Sequence, residues 1–275
     1  MKEALQQHWP EYLMEAAELG IFMVSACLVT AIIWHPASPV RQNVADPTAR
    51  RVLTGIAMAL TAVSIIYSPW GKRSGAHFNP SVTLTFFRLR KIAPWDAVFY
   101  AVAQFGGAVA GVLLAAQLLG TSIKDPAVNY AATLPGPAGP KVAFAAEFLI
   151  AFVQMMVILT VSNIERIARY TGLLASSLVA TYITLEGPLS GMSMNPARSF
   201  GSALPARLWG SLWIYFTAPP LAMLVAAQVY LLIKGSRGVI CAKLHHQNEQ
   251  RCIFRCGYRE REAGTQQSEL RMARA

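Results

Sequence analysis

Two short segments carry the groups best able to act on a small molecule. They are Ser74-Gly75-Ala76-His77-Phe78-Asn79-Pro80-Ser81 and Ser190-Gly191-Met192-Ser193-Met194-Asn195-Pro196-Ala197, the second followed at once by Arg198. Proline at the first turn of a helix needs no N–H partner, and asparagine just before it is a favoured N-cap. Each copy therefore reads as a helix start, with the positive end of a helix dipole at its asparagine. Backbone before the cap is not helical. The carbonyls of Gly75, Ala76, His77 and Phe78, and of Gly191, Met192, Ser193 and Met194, are then free to form two acceptor tracks. The amides of Asn79 and Asn195 and the guanidinium of Arg198 supply donors. This is chemistry for holding a small polar molecule by hydrogen bonds. His77 lacks the partnered nucleophile, metal set or phosphate loop that catalysis would need.

The elements that must position these groups are apolar. With 54% hydrophobic and 14% charged residues, the chain is too apolar for an ordinary soluble domain. Segments long enough to cross about 30 Å of hydrocarbon run over residues 12–34, 52–70, 95–119, 142–162, 170–189 and 208–233, which predicts six spans. The first contains Glu15 and Glu18 and lacks a strongly basic leader, so it reads as a retained membrane helix rather than a signal peptide. Residues 1–10 are expected to form a cytoplasmic N-terminus, 11–235 the membrane domain, and 236–275 a basic, disordered cytoplasmic tail. Arg88, Arg90, Lys91, Arg166, Arg169 and the basic tail place these segments in the cytoplasm by the positive-inside rule, with Arg41, Arg50 and Arg51 pulling mildly the other way. The net charge of +10 is thus a topological signal plus a basic tail and calls for no nucleic-acid partner.

The motif belongs to a longer repeat. Ala16-Ala17-Glu18-Leu19 opens the first span and Ala145-Ala146-Glu147-Phe148 the fourth, so each half, about 11–120 and 141–235, holds three spans with its Asn-Pro after the second. Three is odd, so the halves insert with opposite orientation. An inverted repeat brings two half-helix N-termini to one depth from opposite faces, which is a known way of building a transport site.

On these residues the chain resembles the major intrinsic protein family, the aquaporins and aquaglyceroporins. The resemblance is carried by His77-Phe78-Asn79-Pro80-Ser81-Val82-Thr83, by Asn195-Pro196-Ala197-Arg198-Ser199-Phe200-Gly201-Ser202-Ala203, and by Glu18, Gln104 and Glu147. It implies an all-α membrane protein of six transmembrane helices and two re-entrant half-helices, acting as a passive channel; the compact loops fit a plasma or bacterial inner membrane. It also implies a homotetramer with one pore per chain; from the residues themselves no enzyme activity, cofactor or metal is expected. By the same resemblance Asn79, Pro80, Ser81, Asn195, Pro196 and Ala197 form the pore motifs, Arg198 the selectivity filter, and Glu18 and Glu147 support the loops. Ser81 departs from the family's usual alanine. Counting without gaps puts the other filter positions at Ala59, Ile183 and Met192, whereas a slip of one residue would substitute Leu60 or Tyr182. The apolar set favours glycerol-sized neutral solutes; Ser199, Ala203 and Tyr215-Phe216 favour water. The expected function is conduction of water, with small neutral solutes, while protons and ions are excluded. A glycerol-type facilitator and a non-conducting structural membrane protein are the alternatives.

Other features read as structural. Gly106, Gly107 and Gly111 suit close helix packing, Pro219 and Pro220 should bend the last span, and Gly120 to Pro140 reads as a connector without a site. Cys27 reads as a packing residue. In the tail, Cys241, His245, His246, Cys252 and Cys256 include one zinc-like spacing, Cys252-x-x-x-Cys256, and are expected to be reduced thiols rather than a metal site. Arg251, Arg255, Arg259 and Arg261 suit anionic lipid headgroups.

Overall fold

Proline starts most of the helices of this protein. The computed structural model describes residues 1–235 and 238–258, and every element among them is helical. The first half contains α1 Lys2–Trp34, α2 Pro39–Asn43, α3 Pro47–Tyr67, α4 Pro69–Ser74, α5 Pro80–Arg88 and α6 Pro94–Leu119. The second contains α7 Pro140–Ser162, α8 Thr171–Leu185, α9 Gly187–Ser190, α10 Pro196–Ala206 and α11 Leu212–Lys234. Proline fits position N1 because its missing N–H would have no intrahelical partner there. Side chains satisfy the next donors: Asp46 accepts from Thr48 and Ala49 at the start of α3, Asn79 from Ser81, and Asn195 from Ala197 and Arg198.

Five helices, α1, α3, α6, α7 and α11, are long and apolar enough to cross a membrane. α8 is the sixth crossing element, and at 15 residues it is shorter than the segment 170–189 read from hydropathy. Gly187-Pro188 interrupts it, and the chain resumes as α9. α11 runs through Pro219 and Pro220 as one helix.

The inverted repeat is visible in the packing. α1 lies along α6 as α7 lies along α11, and α3 packs on α8 between the halves. Each half-helix leaves its own half: α5 packs on α11 and α10 on α6. Glycines set the closest approaches. A Cβ on Gly107 would stand 2.0 Å from the Ala16 carbonyl oxygen, and one on Gly111 2.3 Å from that of Gly20, whereas Gly106 faces open space. Gly107→Val should therefore force α1 from α6. Overpacking costs about 1–3 kcal/mol, and more where the obstacle is backbone. The midpoint of thermal unfolding in detergent should fall clearly for Gly107→Val and stay put for Gly106→Val; equal midpoints would contradict the packing argument.

Two expectations are corrected. The tail read as disordered folds over residues 238–258, with Val239, Ile240, Ala242, Leu244, Phe254 and Tyr258 buried in the same core as Ile66, Tyr100, Met155 and Met223. Arg255 N donates to Lys91 O at 2.9 Å and Gly257 N to Ile240 O at 2.9 Å. Average composition concealed two short apolar runs, around residues 239–242 and 253–254, that suffice to anchor it. Arg259 and Arg261 lie outside the described residues. The connector Gly120 to Pro140 also turns inward: Ile123, Val128 and Ala131 are buried against Leu19, Cys27 and Val112.

Candidate functional site

The two Asn-Pro motifs meet head to head. Asn79 Nδ2 donates to the Met194 carbonyl at 2.8 Å, and Asn195 Nδ2 donates to the Phe78 carbonyl at 2.8 Å. Each asparagine also uses Oδ1 to cap its own helix. One N–H of each amide is thus committed across the repeat axis, and the second is what remains to offer a molecule in the cavity that both residues line.

Backbone of unusual hand precedes each cap. Gly75, Ala76 and Phe78 have φ of 101°, 54° and 27°, and Gly191, Met192 and Met194 of 79°, 49° and 55°. Such conformations cost energy in residues other than glycine and persist only where the surroundings hold them. Buried carboxylates do so here. Glu147 accepts from Ser193 N and Met194 N, both at 2.7 Å, and from Ser190 Oγ at 2.6 Å. In the first half Glu15 accepts from His77 N at 2.8 Å and Phe78 N at 2.7 Å. Glu18, expected to be the counterpart of Glu147, instead reaches the loop only through Ser74 Oγ, at 2.7 Å. Gln104 donates to Glu15 at 2.7 Å, adding a third-helix brace. Tyr100 and Tyr215 donate to the Ser74 and Ser190 carbonyls and complete the symmetry.

A cavity of about 390 Å³ runs along both loops, from Trp34 and Thr54 at one end to Ile66 and Leu244 at the other. His77, Phe78, Asn79, Gly191, Met192, Ser193, Met194, Asn195 and Arg198 line it, as does Ile183. Gly75 and Ala76 do not, and the Gly75 carbonyl is engaged by Leu244 N at 3.1 Å. Pro80, Pro196, Ser81 and Ala197 lie behind the asparagines, in the first turns of α5 and α10, and the last three are buried. Arg198 Nη1 has no partner among the described residues.

The wall on α3 differs from the ungapped count. Met58, with Thr54 and Ala62 a turn to either side, lines the cavity; Ala59 does not. Leu60 is 62% exposed on the outer face, and Tyr182 is absent from the lining. Ser68 ends α3 and caps α4, so the helical phase of α3 is broken before Asn79 and counting through it misplaces the face. Sequence reasoning also missed Glu15, although its position one turn before Glu18 was a signal. It missed Asn129, Ala131 and Leu134 of the connector, and Leu244 of the tail, all of which line the cavity without any local mark.

With this geometry in hand, the sequence matches the profile of the Major intrinsic protein family over residues 5–230. The chain belongs to that family. Among this major intrinsic protein's relatives, putative aquaporin NIP4-1 of Arabidopsis thaliana is 37% identical over 181 residues, covering 65% of this chain and 62% of that one. Aquaporin NIP1-1 of Oryza sativa is 38% identical over 176 residues, covering 63% and 60%. The chain spans about three fifths of the length of the curated relatives it matches. The X-ray structure of the aquaglyceroporin from Plasmodium falciparum aligns with a TM-score of 0.65 at 22% identity, covering 82% of this chain and 96% of that one. That likeness concerns the fold, and it agrees with six crossing helices and two re-entrant half-helices.

Proposed function

We propose that this major intrinsic protein is a passive channel for water and small neutral solutes, working in a plasma or bacterial inner membrane as a homotetramer with both termini cytoplasmic. The observation that carries the reading is the one cavity in which two crossed asparagines, Asn79 and Asn195, stand beside Arg198, with no paired nucleophile and base and no metal set among the described residues that line it. A molecule at the asparagines accepts from both amides and lies between two positive helix ends, an arrangement that opposes protons and cations in aquaporin-type pores. Arg41, Arg50 and Arg51, which weigh against the orientation, have local roles. Arg41 donates to Trp34 O at 2.7 Å, Arg51 to Thr184 O at 3.0 Å, and Arg50 stacks over the Trp34 ring at 4.7 Å.

A second reading, a glycerol-type facilitator, is favoured by the apolar wall of Met58, Ile183 and Met192 opposite Arg198. Stopped-flow light scattering on proteoliposomes in chelator-treated buffer separates the two. Shrinkage in an impermeant osmolyte should exceed that of empty vesicles several-fold, and re-swelling in glycerol should follow if the apolar wall sets the width. Fast shrinkage without re-swelling would restrict the pore to water. Neither, with monodisperse protein, would leave a structural role and end the channel reading.

A further inference from the structure

The folded tail brings together four side chains that the sequence left apart. The ligand atoms of Cys241, His246, Cys252 and Cys256 all lie within 4.8 Å of one another. Cys241 Sγ is 3.6 Å from Cys252 Sγ, and Cys256 Sγ is 2.9 Å from His246 Nε2. A tetrahedral zinc ion with Zn–S bonds of about 2.3 Å holds its sulfurs about 3.8 Å apart. The observed cluster therefore has the size of a Cys3His zinc shell.

We propose that Cys241, His246, Cys252 and Cys256 bind one Zn2+, and that the ion fastens residues 238–258 across the cavity mouth on the side of the chain termini. All four cysteines of the chain are free thiols, and the three in the tail are the three in the cluster. Aromatic packing braces the histidine of the cluster. The His246 ring stacks on Tyr258 at 4.4 Å between centroids, and the Tyr258 hydroxyl donates to Ser162 O at the end of α7. A segment this short has little core of its own, and metal binding is a common way for such a unit to hold its fold. On binding, each thiol passes its proton to solvent and histidine binds as neutral imidazole, so nothing is oxidised or reduced.

The segment reaches the cavity through Leu244 and through two contacts with His77, which lines it. Ala242 O accepts from His77 Nε2 at 2.9 Å, Leu244 lines the cavity, and Phe254 stacks on the His77 ring at 5.3 Å. On the N-terminal side, Arg251 donates to Gln7 O at 3.1 Å.

The test uses the full chain purified in detergent from zinc-supplemented cells. Metal analysis should find about one zinc per chain in the wild type and in Cys27→Ser, and less than a tenth of that in the double variant Cys252→Ser, Cys256→Ser with its elution profile intact. Cobalt substitution should give the intense visible bands of a tetrahedral thiolate site. Equal zinc in wild type and double variant, or no zinc with all four thiols titrating, overturns the site. Loss of two thiols without metal would make Cys241 and Cys252 a disulfide and overturn it equally. Should the double variant fail to fold, His246→Gln, expected to lower zinc retention at least tenfold against a chelator, replaces it. Stripping zinc should speed tryptic cleavage after Lys243, Arg251 or Arg255 at least tenfold, and unchanged cleavage overturns the fastening. Flux rests on the channel reading: there zinc removal should raise water permeability at least threefold, and equal flux in the two states overturns the cap. Absence of flux in both states refutes the channel reading while metal content still decides the site.

Discussion

Glu147→Leu should prevent this protein from being recovered as a folded, monodisperse species. Glu147 is fully buried and accepts from Ser190 Oγ, Ser193 N and Met194 N, so leucine leaves three buried donors without an acceptor. Each such orphan costs about 1–3 kcal/mol, and together they rival the whole stability of a typical domain, about 5–15 kcal/mol. The strained backbone at Met192 and Met194 would lose its restraint as well. Glu147→Gln keeps the shape but turns one acceptor into a donor facing an N–H, so an intermediate loss of thermal midpoint is expected. Size-exclusion profiles and thermal midpoints of the two variants measure this directly. A monodisperse Glu147→Leu protein within a few degrees of wild type would show that the carboxylate is not what holds the second loop. By the same reasoning Glu15→Leu should be worse than Glu18→Leu, since Glu15 bonds loop backbone and Glu18 one hydroxyl.

The second large effect, which rests on the proposed channel reading, is on selectivity. Arg198 is the only arginine or lysine lining the cavity among the described residues, and its Nη1 has no protein partner. A unit charge about 8 Å away through an effective dielectric of about 20 raises a cation by about 2 kcal/mol, a factor of about 30 in rate. Arg198→Ala should therefore admit small cations roughly 30-fold faster and widen the filter for solutes larger than glycerol. Water flux should change little. Arg198→Lys keeps the charge without the planar fork, so cation exclusion should survive while solute discrimination weakens. Potassium leak and erythritol uptake in proteoliposomes report the two effects separately. Unchanged selectivity in Arg198→Ala would remove this residue from the filter.

Much of this is legible in the amino-acid sequence. Asparagine and proline act within about four residues of themselves, which is why α5 and α10 begin at Pro80 and Pro196 as read. Hydropathy works over a window of about 20 residues and located the long spans, failing at α8, where Gly187-Pro188 breaks a segment that is still apolar. The duplicated Asn-Pro motif, with an odd number of spans between copies, was enough for the inverted repeat.

Contacts between distant residues were a different matter. Whether Met58 or Ala59 faces the cavity depends on how α4 is inserted between α3 and Asn79. Whether Glu15 or Glu18 meets the loop depends on the rotation of α1 against α4 and α6. The tail posed the same problem, since Cys241, His246, Cys252 and Cys256 have an irregular spacing that becomes a cluster only when the chain turns back onto the core of the bundle. Local chemistry by itself determined the helix starts, the membrane class and the paired motif, because each depends on neighbours in sequence. Tertiary structure alone decided which side chains share the cavity and which share a metal-sized shell, because those distances are set by the path of the chain between them.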